Sequence, residues 1–132
     1  SRFFNLSDIA KYSDAIFVCA SYSVGDPYII DDIFLNKVTN RPYIVNTARA
    51  NLVDEFSLCS ALEANKIRGV ASDVLTGENI GNISKSPLLL RAQKYNDVLI
   101  TPHIGGCTLE AMQQTEQFIF DIFLKELTYY AS

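Results

Sequence analysis

The sequence predicts an α/β fold built on a parallel β-sheet. Two observations carry this reading: short, bulky apolar runs of strand length recur along the chain, and helix-forming segments with apolar residues at helical spacing separate them. No internal repeat, linker composition or charge block interrupts the alternation, so residues 1–132 read as a single domain. A sheet of this kind is expected to be covered on both faces and to collect ligands at the carboxyl ends of its strands.

The elements follow in order. Residues 6–12 carry a helical pattern, and residues 14–20 (DAIFVCA) have the length and bulk of a buried strand. From Pro27 onward Ile29, Ile30, Ile33, Phe34 and Val38 recur at helical spacing, with Asp31 and Asp32 near the positive N-terminal end, which predicts an amphipathic helix. A turn at residues 39–42 (TNRP) leads to a second strand at 43–46. Helix formers then follow, with Asp54 as the expected cap and residues 57–64 as the firmest helical stretch. Residues 69–74 (GVASDV) form a third strand candidate, 76–86 read as loop, and 97–101 (DVLIT) form the fourth strand. A long helix is expected over 108–127, burying Met112, Phe118, Ile119, Ile122 and Phe123. Residues 124–132, with Tyr129 and Tyr130, read either as a tail or as a return toward another domain.

Composition excludes several function classes. The 132 residues are 48% hydrophobic and 20% charged, enough apolar content for a core. Eleven Lys and Arg against fifteen Asp and Glu, spread along the chain, argue against a nucleic-acid partner. No apolar run approaches membrane-helix length and no signal peptide is evident, so no membrane partner and a soluble, cytoplasmic location are expected. Cys19, Cys59 and Cys107 are odd in number and lack a CxxC, indicating neither a disulfide framework nor a metal site. The opening at Ser1, with no strand before the first helix, reads as a piece of something longer.

Polar residues gather where the strands should end: Thr47 and Arg49, Asp73 and Glu78, then His103 before Gly105 and Gly106. His103, the sole histidine, is the best general acid/base candidate. Arg49 offers a planar fork of donors for a carboxylate, and a carboxylate such as Glu78 would favour the protonated imidazole. Cys107, four residues after His103, raises a thiol hydrolase as an alternative, but nothing marks an oxyanion hole. Taken together, an arginine, a carboxylate and a histidine on one edge suit proton transfer on a small anionic substrate.

Residues 45–55 (VNTARANLVDE), 69–78 (GVASDVLTGE) and 101–106 (TPHIGG) resemble, in order and spacing, three late motifs of the D-isomer-specific 2-hydroxyacid dehydrogenases, a family that includes phosphoglycerate dehydrogenase-like members. The resemblance extends back through residues 6–20. It implies the later half of a Rossmann-type NAD-binding domain and hydride transfer between a nicotinamide cofactor and C2 of a small 2-hydroxy or 2-oxo acid. By that resemblance Arg49 binds the substrate carboxylate and carbonyl, His103 is the acid/base, and Glu78 pairs with it. Asp73 matches the acid that binds the nicotinamide carboxamide, while Thr47, Ala48, Arg49, His103, Ile104, Gly105 and Gly106 match cofactor-lining positions. NAD is the implied cofactor, with NADP left open, and a homodimer through the cofactor domain is the implied assembly. Departures from the motifs are Ala50 for a usual Gly, Asn79 and Ser21 for usual Pro residues, and an atypical 22–28 loop. GxGxxG is absent, so the pyrophosphate seat and the substrate domain are expected outside this chain, which alone should be nearly inactive. The competing expectation is a non-catalytic, corepressor-like module that senses nucleotide or binds protein.

Overall fold

The computed structural model describes residues 5–130 and divides into two compact units, Ser1–Pro102 and His103–Ser132. In the first unit, α1 (Leu6–Tyr12) is followed by β1 (Ala15–Val18), α2 (Asp32–Leu35), β2 (Tyr43–Asn46), α3 (Glu55–Glu63), β3 (Gly69–Ser72), α4 (Pro87–Ala92) and β4 (Val98–Ile100). The strands lie in the order β1-β2-β3-β4, every neighbouring pair parallel. This is the expected α/β architecture.

The register explains the core. Ile16, Ile44, Val70 and Val98 form one cross-strand row, and Val18, Asn46, Ser72 and Ile100 the next on the same face. Against that face pack Ala10 of α1, Phe34 and Leu35 of α2, Leu58, Ala61 and Leu62 of α3, and Leu88 of α4. The opposite face is open within this unit: Phe17 is 66% exposed and Leu99 65%. Cover on both faces, expected from the sequence, is therefore not found among the described residues. The reason is topological, since right-handed crossovers that always step to the next strand in one direction place every connecting helix on the same side.

Three elements differ from the sequence reading. The helix expected from Pro27 to Val38 shrinks to Asp32–Leu35, capped by the Asp31 side chain, which accepts from the Phe34 N–H at 2.8 Å. Its upstream part is taken by another partner: the Ile29 and Ile30 N–H groups donate to the Leu52 carbonyl, and Ile30 bridges in parallel to Val53. Backbone committed to that bridge cannot close helical turns. Residues 87–92, which the sequence reading left without an element, form α4, with Ser86 as cap and Pro87 in the first turn. Within 76–86 the loop contains two 3₁₀ turns, Glu78–Ile80 and Ile83–Lys85.

In the second unit, α5 runs Leu109–Tyr130, longer than expected, and the Thr108 hydroxyl accepts from the Ala111 N–H at its start. Residues 131–132 of the tail lie outside the described residues. The stripe of Met112, Phe118, Ile119, Ile122 and Phe123, expected to be buried, is exposed. A lone helix has no second surface in its own unit on which to bury an apolar face. Among the described residues, no helix is long and apolar enough to cross a membrane.

Candidate functional site

Parallel strands put their carboxyl ends on one edge, and the loops after β1, β2, β3 and β4 all leave from it. The loop after β2 is shaped by Asn46, which is fully buried at the last strand position. Its Oδ1 accepts from the Ala48 N–H at 3.1 Å and its Nδ2 donates to the Arg49 carbonyl at 2.9 Å. Buried and bonded at both ends of its amide, Asn46 sets the turn that presents Thr47 and Arg49 to solvent. The Arg49 Nη1 donates to the Ala48 carbonyl at 2.6 Å, and the side chain is exposed. Ala50, which replaces the glycine usual in the motif, opens a 3₁₀ turn, Ala50–Leu52, whose backbone an alanine accommodates.

The strand next to it delivers Asp73, only 7% exposed. Its N–H donates to the Asn46 carbonyl at 3.0 Å, and its Oδ1 accepts from the Thr101 hydroxyl, 28 residues further on. Thr101 is itself held by its N–H on the Ser72 carbonyl, so three neighbouring strand ends share one network. Beyond Asp73 the chain reaches Gly77 and Glu78. Gly77 has φ +86° in the left-handed region, and a Cβ there would lie 2.7 Å from the Asn82 carbonyl oxygen. The half-buried Glu78 turns its Oε2 back to accept from the Leu75 N–H at 2.9 Å.

Thr47, Ala48, Arg49, Asp73 and Glu78 thus lie on loops of the first unit's carboxyl edge, the first four linked through Asn46. His103, Ile104, Gly105 and Gly106 open the second unit. There His103 is exposed, with φ +54°, a left-handed conformation uncommon for a residue with a Cβ, and the Cys107 N–H closes a turn on the Ile104 carbonyl at 3.1 Å. No group of three or more His, Cys, Asp or Glu that could hold a metal occurs among the described residues. Cys19, Cys59 and Cys107 carry free thiols.

Two residues of this edge escaped the sequence reading. In the sequence Asn46 reads simply as the end of a strand, although an Asn two residues before a turn alanine is a known signal for an Asx-type clamp. Glu55 opens α3 at 3% exposure and accepts from the Thr76 N–H at 2.7 Å and the Ser86 hydroxyl at 2.6 Å. A glutamate in a first helical turn ordinarily reads as a solvated dipole partner, and only segments arriving 21 and 31 residues later bury it.

A parallel sheet whose loops gather an arginine and a buried aspartate at its carboxyl edge is part of a Rossmann-type dinucleotide-binding domain. The sequence profile of the family described as D-isomer specific 2-hydroxyacid dehydrogenase, NAD binding domain, matches residues 1–105, and the chain belongs to that family. A protein named as a 2-hydroxyacid dehydrogenase in Staphylococcus epidermidis is 30% identical over 128 residues, covering 96% of this chain and 38% of that protein. The D-specific alpha-keto acid dehydrogenase of Enterococcus faecium is 30% identical over 115 residues, 82% of this chain and 36% of its own. Among solved structures, D-2-hydroxyisocaproate dehydrogenase superposes with a TM-score of 0.75 at 27% identity over 94% of this chain and 40% of that one. D-mandelate dehydrogenase of Rhodotorula graminis gives 0.73 at 29% identity over 88% and 32%. The chain spans well under half the length of these relatives.

Proposed function

We propose that this chain supplies the nicotinamide-side half of the cofactor site, together with catalytic residues, of an NAD-dependent oxidoreductase acting on a small D-2-hydroxy or 2-oxo acid. The observation that carries the reading is the Asn46-centred network, which fixes the backbone of the loop carrying Arg49 and that of the buried Asp73 at the ends of adjacent strands. The residues present fit a nicotinamide. Asp73 is a buried acceptor suited to a carboxamide N–H, and a Cβ at Gly106 would meet nothing within 4 Å, leaving that backbone approachable. Thr47, Ala48, Ile104 and Gly105 are the remaining contacts assigned to it.

When bound, NAD supplies the hydride acceptor or donor for C2 of the acid. The chain's own residues do the rest. Arg49 holds the substrate carboxylate through its planar fork and polarises the adjacent carbonyl. His103 gives a proton to the carbonyl oxygen during reduction and takes one from the hydroxyl during oxidation. Glu78 is the carboxylate partner assigned to orient the imidazole. The enzyme works as a homodimer through the cofactor domain.

The test is His103→Ala in the full-length protein, followed by NADH absorbance with a panel of 2-oxo acids. Loss of general acid catalysis lowers kcat by about 10²–10⁴-fold, while NADH binding, followed by its fluorescence, is largely kept. Unchanged turnover overturns the assignment.

A further inference from the structure

We propose that Glu55 is a positioning residue for Glu78: one buried carboxylate on α3 pins both ends of the loop that carries it. The proposal rests on the functional reading above and deepens it. A carboxylate at 3% exposure persists only if its oxygens are bonded, and both of these are spent on the same loop. Oε1 takes the Thr76 N–H at 2.7 Å where the loop leaves β3, and Oε2 takes the Ser86 hydroxyl at 2.6 Å where it enters α4. The Leu88 N–H stands further off the same Oε2, at 3.5 Å.

Each pinned end is coupled to something that matters. Ser86 also accepts from the Leu89 N–H at 3.2 Å, so the loop's exit is the cap of α4. At the entrance, consecutive amides serve the two glutamates: the Leu75 N–H donates to Glu78 at 2.9 Å and the Thr76 N–H to Glu55. Any shift of the Thr76 peptide moves the anchor of Glu78. The interior of the loop is stiff, because the Asn82 N–H closes on the Gly77 carbonyl at 2.9 Å and Gly77 and Gly81 both lie in the left-handed region. A stiff loop held at two ends moves as a body about those ends, so the group that holds both decides where Glu78 sits.

The experiment compares Glu55→Ala, Glu55→Gln and Glu78→Gln in the full-length protein, by kcat and KM for 2-oxo acid reduction and by amide hydrogen exchange over residues 75–86. Displacing Glu78 by an ångström lowers kcat in Glu55→Ala by roughly 10–100-fold with KM for NADH little changed. Glu78→Gln gives the same pattern, since both variants take the Glu78 carboxylate from its place. Glu55→Gln restores most activity: its amide oxygen still accepts from Thr76 and its NH₂ donates to the Ser86 hydroxyl. A wild-type kcat in Glu55→Ala, or a glutamine variant no better than alanine, overturns the proposal. If Glu55→Ala does not fold, Ser86→Ala gives a smaller loss of kcat with KM for NADH unchanged, and an unmoved kcat there overturns it equally. Should Glu78→Gln keep the wild-type kcat, the reading of Glu78 as catalytic partner fails and the catalytic part of the proposal with it; faster exchange at residues 75–78 in Glu55→Ala upholds the pin even then.

Discussion

The Cys59 thiol is pushed up to about 11, first by burial, with the Arg91 guanidinium pulling the other way and Glu55, Glu63 and Asp97 adding to the rise. Thiolate is the reactive form, so at pH 8 Cys59 is alkylated well after the exposed Cys19 and Cys107, and its own rate keeps climbing toward pH 11. Mass-resolved maleimide labelling checks this; Cys59 reacting first would contradict it. The sign for stability follows from the same shift. A raised folded-state value leaves stability intact below the ordinary value of 9.0, and that stability is lost as pH rises through about 11. Asn46, by contrast, is held by geometry rather than charge: its position two residues before Ala48 signals the clamp in the sequence, but its complete burial comes only from the neighbouring elements.

At the scale of elements, α3 shows which interactions dominate. Asp54 caps it, accepting from the Phe56 N–H at 3.2 Å and the Ser57 hydroxyl at 2.5 Å, and Leu58 is fully buried one turn later. Asp54→Ala should cost about 1 kcal/mol, whereas Leu58→Ala should cost about 2–5 kcal/mol. Urea melts of the two variants check the order; a cap loss exceeding the core loss would refute it. Further along the chain, α4 carries Arg91, 8% exposed, whose Nε and Nη2 form a fork on Asp97 at 3.1 and 2.8 Å. The same guanidinium reaches Glu63 at 3.3 Å and lies 4.6 Å from the Tyr95 ring centre. It fastens α4 to the approach of β4 and to α3. Six residues are too short for periodicity to announce a helix, though Ser86-Pro87, a cap followed by proline, was a usable start signal.

At the scale of the molecule, the first unit shows one finished face and one open face. Phe17, Val45, Ala71 and Leu99 form a single cross-strand row on the open face, and its two ends are the most exposed. Apolar residues of α5 are exposed as well, so each unit shows large exposed apolar side chains among its described residues. The isolated chain should associate with rising concentration in sedimentation velocity and bind a hydrophobic dye. Replacing Phe17 and Leu99 by serine should suppress both with little change in melting, because neither side chain is in the core; unchanged association in that variant would refute the prediction.

The sequence by itself determined the class of fold, the four strands, the cap of α3 and the family to which its motifs belong. Each of these is written locally, as an apolar run, a capping side chain or a fixed spacing. Tertiary structure decided what depends on distant partners. The Ile30–Val53 bridge shortened α2, and one-way right-handed crossovers left the second sheet face open. Glu55 became the buried pin of the Glu78 loop only because Thr76 and Ser86 come back to it. Hydrogen-bond partners separated by twenty or thirty residues leave no period in a sequence, and burial is a property of the neighbours a residue acquires.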